Sequence, residues 1–418
     1  MLSNNSYKLV NNCRLCGSNK LDEFISFGKL PLGNNLQKKY SDSINVEEYS
    51  LQVNQCLNCS HFQLGHSINP KNLYATNYTY LSSVGSSFVN HMKKYASYIY
   101  KKYKLNQNSL VIDIGSNDGL GLKFFKGLGT KVVGIDPAKY ASDIANKNGI
   151  TTINSFFTSE VVDKIISKYG KADFITSHNV LAHVDNLSNV LESIHKLLKD
   201  LGIFVFEIGY FKDVLENFYF DTIYHEHLDY HHAYPLVKKL TSLGFEVLNI
   251  STNSVQGGSL RIETRKNNKS DISYQTRSFL QAELNSVLYR KEYLDSWKDN
   301  IANNMRKLNE KINQFKKSGN KIFGYGAPTK ATLLLSLSNL SKEEIPFVFE
   351  DNILKIGRFL PGTGISIIST NQIEIIKPSV IVIFAWNFSE NIINKIRKKI
   401  DWDLKCIVPL PSYHEINL

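Results

Sequence analysis

The sequence predicts an α/β chain in three parts: a small zinc-binding domain over residues 1–70, a central domain with a parallel sheet over 71–268, and a second α/β domain with leading helices over 269–418. Three observations predict it. Two Cys-x-x-Cys pairs stand near the start, strand-like and helical runs alternate from Leu110 to about residue 265, and a second alternation begins at Ile322. Parallel strands need crossover connections, so such alternation reads as helices packed on a parallel sheet. At 418 residues the chain is long enough for two or three domains, each with its own core.

The first part rests on its cysteines. Cys13-x-x-Cys16 and Cys56-x-x-Cys59 are two pairs separated by 39 residues. Two thiolates at that spacing sit on one tight turn, and two such turns close a tetrahedral four-sulfur zinc site. A redox motif would need a strand before the pair and a helix after it, and neither is evident. With Cys13, Cys16, Cys56 and Cys59 filling all four positions, no ligand site stays open, so the zinc is expected to hold structure rather than perform chemistry. Cys406 stands alone in an apolar, strand-like run and reads as a buried thiol.

Composition limits the partners. With 42% apolar and 21% charged residues the chain is globular, and its longest apolar runs fall far short of the roughly 18 residues a membrane span needs. The start, MLSNNSYKLV, lacks a basic segment followed by an apolar run, so a cytoplasmic protein without a membrane partner is expected. The formal charge of +11 raises nucleic acid as a partner, but 41 of the 49 basic residues are Lys and only 8 are Arg, spread along the whole chain. Planar recognition of phosphates and bases favours Arg, so nucleic acid is not the expected ligand.

Residues 71–108 read as helical and lead into the strand Leu110–Ile114. Further strands are expected at Lys131–Ile135, Asp173–Thr176 and Ile203–Ile208, with an antiparallel pair at Glu246–Ile250 and Ser259–Thr264 closing the block. Directly after the first strand comes Asp113-Ile-Gly115-Ser-Asn117-Asp118-Gly119, where a glycine lets backbone approach a ligand and the helix start offers amides. A second strand ends at Asp136, 17 residues beyond Gly119, where an acid is placed to accept from ribose hydroxyls. The ligand is a nicotinamide dinucleotide or S-adenosylmethionine. Dinucleotide loops favour GxGxxG, and Asn117 occupies the place of its second glycine. This arrangement resembles class I S-adenosylmethionine methyltransferases. Asn179, just beyond the strand at Asp173–Thr176, joins the cofactor set.

Tyr224-His225-Glu226-His227 is followed by Tyr230-His231-His232, four histidines within eight residues. Chelation of a metal is one use for such a cluster, but the spacing is not that of helical HExxH. Acid–base chemistry is the other: an imidazole takes a proton near neutral pH, a carboxylate orients it, and a phenol steadies an oxyanion. His183 lies beyond the carboxyl end of a strand, where ligands of open α/β sheets bind. In the last part, residues 275–318 read as long polar helices, and Ile322–Tyr325, Phe347–Glu350, Val380–Phe384 and Cys406–Val408 as strands.

The two cysteine pairs, then Asp113–Gly119, then Tyr224–His227, then Gly324-Tyr-Gly326-Ala-Pro-Thr329-Lys330 and Gly357-Arg358-Phe-Leu-Pro361-Gly362, together resemble the nucleotide-sugar C-methyltransferase family over nearly the whole chain. The resemblance implies an N-terminal zinc domain, a central Rossmann-like S-adenosylmethionine domain and a C-terminal Rossmann-like domain, with the substrate held between the last two. It implies methylation at C3 of a nucleotide-linked 4-ketosugar, through an enolate, in branched-sugar biosynthesis for a surface polysaccharide or natural product. His227 is implied as the base and His183 as its rival, with Tyr224 and Glu226 beside it. A further tyrosine, Tyr78 or Tyr80 with Tyr78 preferred, belongs upstream of the sheet. Lys330, Lys355, Arg358 and Arg261 are the candidate cations for the pyrophosphate. An RNA methyltransferase gripping RNA through the zinc knuckle and an NAD-dependent sugar oxidoreductase are the competing readings, and the oligomeric state stays open.

Overall fold

The computed structural model describes residues 7–69, 73, 81–267 and 272–418. Tyr78 and Tyr80 lie outside the described residues. The chain divides into two compact units, one formed by Met1–Asp22, Asn54–Lys212 and Leu228–Tyr289, the other by Glu23–Val53, Asp213–His227 and Arg290–Leu418. Among the described residues, no helix is long and apolar enough to cross a membrane.

The N-terminal segment is poor in helix, as its lack of 3.6-residue periodicity predicts. It gives β1 (Tyr7–Leu9), β2 (Leu21–Pro31), the five-residue α1 (Tyr40–Ile44), β3 (Glu48–Cys56), β4 (Phe62–Leu64) and β5 (His66–Ile68). β1 pairs antiparallel with β5.

In the first unit, α2 (Ser86–Lys102) precedes a regular alternation: β6 (Leu110–Ile114), α3 (Leu120–Gly127), β7 (Lys131–Asp136), α4 (Lys139–Lys147), β8 (Thr152–Asn154), α5 (Ser159–Tyr169), β9 (Ala172–His178), α6 (Leu187–Leu197) and β10 (Leu198–Gly209). After α7 (Phe211–Glu216) come β11 (Asp229–Tyr230), paired with β4, then α8 (Ala233–Ser242), the antiparallel pair β12 (Phe245–Asn253) and β13 (Ser259–Lys266), and α9 (Tyr274–Leu284). The sheet runs β12-β13-β10-β9-β6-β7-β8. Five neighbouring strands, β10 to β8 in that order, are parallel, and β13 runs against β10.

Every residue of β6 is buried, so this central strand is a nearly continuous apolar run. α2 buries Met92, Tyr95, Ala96 and Ile99, the stripe of a helix lying on a sheet. α5 begins at Thr158, whose hydroxyl accepts from the Val161 amide. Apolar layers cover both faces of the sheet, one including Leu191, Phe204 and Leu236, the other including Tyr95, Phe125 and Phe174. The strand order reverses at β6, between β7 and β9. Ligands of open α/β sheets bind at such a reversal, beyond the carboxyl ends of the strands. The Asp113–Gly119 loop leaves β6 there.

The second unit opens its C-terminal stretch with α10 (Lys291–Lys317), polar outside but burying Leu294, Trp297, Ile301, Met305, Leu308 and Ile312. There follow β14 (Ile322–Tyr325), α11 (Ala331–Leu337), β15 (Phe347–Glu350), β16 (Ser366–Ser369), α12 (Ile373–Ile376), β17 (Val380–Ile383), α13 (Ser389–Arg397), β18 (Lys405–Val408) and β19 (His414–Asn417). Their order is β16-β15-β14-β17-β18-β19, parallel except for β19. This sheet reverses at β14, so the Gly324–Lys330 segment leaves it at the equivalent place. Cys406 is fully buried in β18.

Phe174 of β9 is 0% exposed and packs its ring against Phe125 and Tyr103, at 5.6 and 6.4 Å between centroids. Phe174→Ala is expected to cost about 3–5 kcal/mol, read as a lower urea midpoint at unchanged slope.

Candidate functional site

Three clusters carry chemistry. In the first, one sulfur from each of Cys13, Cys16, Cys56 and Cys59 lies within 4.8 Å of the other three. Cys13 and Cys59 are 3.7 Å apart, Cys16 and Cys56 3.6 Å. Four sulfurs about 2.3 Å from a tetrahedral zinc sit about 3.8 Å from one another, so the spacing fits the ion and is far too long for disulfides. The hydrogen bond that Cys13 and Cys59 share pulls the Cys13 thiol down and, with burial, pushes Cys59 up, so that without a cation one proton stays between the two sulfurs.

The second cluster surrounds the loop after β6. Gly115 has φ +72°, and a Cβ there would meet a Val180 methyl at 2.1 Å, so glycine is required twice over. Asp136, at the end of β7, accepts from the Asn117 amide at 2.9 Å and the Ala138 amide at 2.8 Å. Asn117 and Asp118 in turn accept from the Ser82 and Ser83 amides, at 2.9 and 3.0 Å. Gly119, at φ +79°, starts α3. Burial, with the Asp136 charge nearby, raises the Asp113 carboxyl well above the ordinary range. Three buried atoms around the loop, Asp113 Oδ1, Ser116 Oγ and Asp118 Oδ1, have no hydrogen-bond partner among the described residues. Asn179 sits at φ +55°, its amide donating to the Glu207 carbonyl at 2.8 Å, and His183 ends a 3₁₀ turn over Leu181–His183.

The third cluster, in the other unit, is the Tyr224–His227 segment. His227 Nδ1 lies 2.8 Å from the Thr222 carbonyl, which can only accept, so the Nδ1–H is the donor. Nε2 is then the acceptor, and the Tyr224 hydroxyl donates to it at 2.7 Å. Glu226 is buried, and burial pushes its carboxyl up to about 7 against the pull of an Asn34 hydrogen bond and the Lys355 charge. Asn34 Nδ2 donates to Glu226 at 2.8 Å while its Oδ1 accepts from Thr329 at 2.7 Å. Gly33 permits this approach, since a Cβ there would lie 2.3 Å from the Thr329 carbonyl oxygen. His225 turns away, to the Tyr49 carbonyl at 3.0 Å.

Three family models match the chain in order: residues 13–74 a "Putative zinc binding domain", 88–250 a methyltransferase domain, and 254–411 a C-methyltransferase C-terminal domain. The C-methyltransferase NovU of Streptomyces niveus is 30% identical over 409 residues, 98% of this chain and 97% of that one. The chain belongs to the C-methyltransferase family. Among solved structures, a magnesium protoporphyrin IX methyltransferase from Synechocystis PCC 6803 is similar in its SAM-bound form, 15% identical over 43% of this chain and 79% of that one at a TM-score of 0.33. Its SAH-bound form matches at 16% identity, 43% and 82% coverage and a TM-score of 0.35.

Three of the four anticipated cations of this C-methyltransferase, Lys330, Lys355 and Arg261, are already engaged. Lys330 Nζ lies 3.4 Å from Asp221 and 3.9 Å from the Trp386 ring centre, and the Trp386 indole N–H donates to Asp221 at 2.5 Å. Lys355 donates to the Ala327 carbonyl at 2.8 Å, and Arg358 stands half-buried three residues on. Arg261, in the first unit, is paired with Glu207 through Nε and Nη2, each at 2.5 Å. Burial works against the Glu207 carboxylate, but the His91 hydrogen bond at 2.7 Å and the His178 and Arg261 charges hold it down at about 2. Asn34, Asp221, Trp386, Glu207 and His91 escape the sequence, where no spacing ties them to their partners. Pro31-Leu-Gly33-Asn34 is the one of these segments with a turn signal.

Two outcomes follow from these environments. Elemental analysis is expected to find one zinc per chain, and Cys56→Ser to lose it and to melt several degrees lower. Glu226 binds its proton more tightly folded than unfolded, so its contribution is full below about 4.5 and lost as pH rises through about 7. Unfolding free energy of the wild type relative to Glu226→Gln is expected to fall by about 3 kcal/mol across that window. The buried histidines His178, His225 and His231, each lowered to about 4, act in the opposite sense but cancel in the difference.

Proposed function

We propose that the chain is an S-adenosylmethionine-dependent methyltransferase that alkylates C3 of a nucleotide-linked 4-ketosugar, with His227 as the base. One observation carries the base: in the hydrogen-bonded series Thr222 carbonyl, His227, Tyr224 the ring proton stands on Nδ1, so that the neutral form of the imidazole has its lone pair on Nε2 with a phenol beside it. A carbon next to a ketone is the substrate such a pair suits. The carbonyl acidifies the neighbouring proton, and the charge develops on oxygen, where a phenol donates best.

For the donor, support comes from the three unpartnered polar atoms around the Asp113–Gly119 loop. Left alone, each costs about 1–3 kcal/mol. A ligand with an ammonium, a cationic sulfur and two ribose hydroxyls offers what the carboxylates lack. Asp113, Asn117, Asp118, Asp136 and Asn179 are the residues that would hold it, close to the backbone at Gly115 and Gly119. When bound, S-adenosylmethionine supplies an electrophilic methyl group.

The steps assigned to this chain are proton steps. His227 Nε2 takes the C3 proton, the C3–H electron pair moves into a C3=C4 bond, and the C4 oxygen takes the negative charge. Tyr224 swings its hydroxyl from Nε2 to that oxygen as the imidazole becomes a donor. The C3 carbon so activated would be the nucleophile for the methyl group that bound S-adenosylmethionine would supply. Burial pushes the Glu226 carboxyl up to about 7, so near neutral pH it carries less negative charge to oppose the enolate than an ordinary carboxylate would. Lys355 and Arg358 are the cations assigned to the pyrophosphate, and Lys330, clasped by Asp221 and Trp386, shapes the loop that receives it.

A panel of nucleotide 4-ketosugars assayed by mass shift tests the substrate class. In deuterium oxide the wild type is expected to exchange the C3 proton without a methyl donor, and His227→Asn to lose exchange and methylation by about 10²–10⁴-fold while still binding S-adenosylmethionine. Exchange at the wild-type rate in that variant would move the base to His183.

A further inference from the structure

We infer that Arg14 is a positioning residue for methyl transfer: seated inside the first Cys-x-x-Cys turn, it ties the zinc site to the Asp185 carboxylate, two residues after His183, and to the backbone directly after His227. This rests on the roles proposed above for those histidines. Arg14 lies between Cys13 and Cys16, its side chain only 2% exposed. Nε donates to Asp185 at 3.3 Å, Nη1 to the Leu64 carbonyl at 2.8 Å and the Leu228 carbonyl at 3.3 Å, and Nη2 to the His66 carbonyl at 3.0 Å. Its own amide donates to Gln63 Oε1 at 2.7 Å.

The acceptors explain what the guanidinium does. Asp185 stands two residues after His183. Leu228 follows His227, and its amide donates to the Ala182 carbonyl, just before His183, at 2.7 Å. The Leu228 carbonyl also accepts from the Leu64 amide at 2.8 Å. One planar fork therefore fixes both flanks at once. The second cysteine turn holds the same stretch: His61, two residues past Cys59, pairs with Asp229 at 2.8 Å, and His232 bonds the Ser60 carbonyl at 2.9 Å. Closing four sulfurs on one cation makes the two turns a single rigid clamp on residues 228–232. The zinc, with no open ligand position, thus acts on catalysis through geometry.

Arginine is needed because a lysine, with one nitrogen, keeps the charge but cannot reach a carboxylate and three carbonyls spread around a plane. Misplacing a reacting group by about 1 Å costs about 10²-fold in rate. A residue that only stabilised the fold would lower the melting temperature and leave turnover per folded molecule alone.

The test uses full-length, zinc-loaded Arg14→Lys, with Asp185→Asn as the second variant because Asp185 is partly exposed and remote from the sulfurs. Both are expected to keep one zinc and to bind S-adenosylmethionine within about twofold of wild type. In Arg14→Lys, amide exchange over residues 181–186 and 228–232 is expected to rise about tenfold, with α10 unchanged, and kcat on the ketosugar to fall at least tenfold with KM within about twofold. Asp185→Asn is expected to shift both in the same direction by less, and chelating zinc from the wild type to raise exchange in the same two segments. Unchanged exchange there, or an unchanged kcat, overturns the coupling. The exchange readout needs no sugar, so wild-type methylation by His227→Asn would defeat the base assignment while leaving the exchange result to be judged separately.

Discussion

Mutual repulsion governs the N-terminal segment. Four cysteine sulfurs within 4.8 Å cannot all carry charge unless a cation sits among them, and without one their packing has no electrostatic reason to persist. Of the strands beside them, β3 runs nine residues into Cys56, while β1, β4 and β5 are only three residues long. Three of the cysteines are buried in the same apolar layer as the helices on the main sheet. The metal therefore closes a long chain loop and at the same time completes a hydrophobic face.

The candidate base obeys a complementary economy of charge. A carbonyl cannot donate, so Thr222 alone fixes which His227 nitrogen bears the proton. Around it the second unit keeps ionisable groups neutral or matched: Glu226 holds its proton through burial, and Lys330 faces Asp221. In a medium of low dielectric an unmatched charge would dominate its surroundings, which this matching avoids.

Much of the fold was legible because strands buried on both faces are written as unbroken apolar runs. β6, β14 and β15 fall on the residues that pattern selects, while β9 and β10 extend beyond it where hydrogen bonding outlasts hydrophobicity. Within the seven-stranded and six-stranded sheets the strands that escape it, β8, β16 and β19, all lie at edges, where one side meets no neighbour and short polar sequences suffice, and the strands of the N-terminal segment escape it as well. The cysteine site was legible from spacing alone, and the histidine cluster from density. Their partners were not. Glu226 meets Asn34 across 192 residues and Asp221 meets Trp386 across 165, and no local pattern encodes a pairing that only tertiary folding creates.

Asn34 illustrates what such pairings fix. A carboxamide has a polarity, nitrogen at one end and oxygen at the other, and both ends are used: nitrogen towards the Glu226 carboxyl, oxygen towards the Thr329 hydroxyl. The residue itself is exposed to water. Slow hydrolysis of the amide to a carboxylate would leave the Thr329 bond intact but remove the donor at Glu226, so that the contact would hold only while Glu226 keeps its own proton to donate. Chemical ageing would then reverse one of two neighbouring contacts without changing the shape of the side chain.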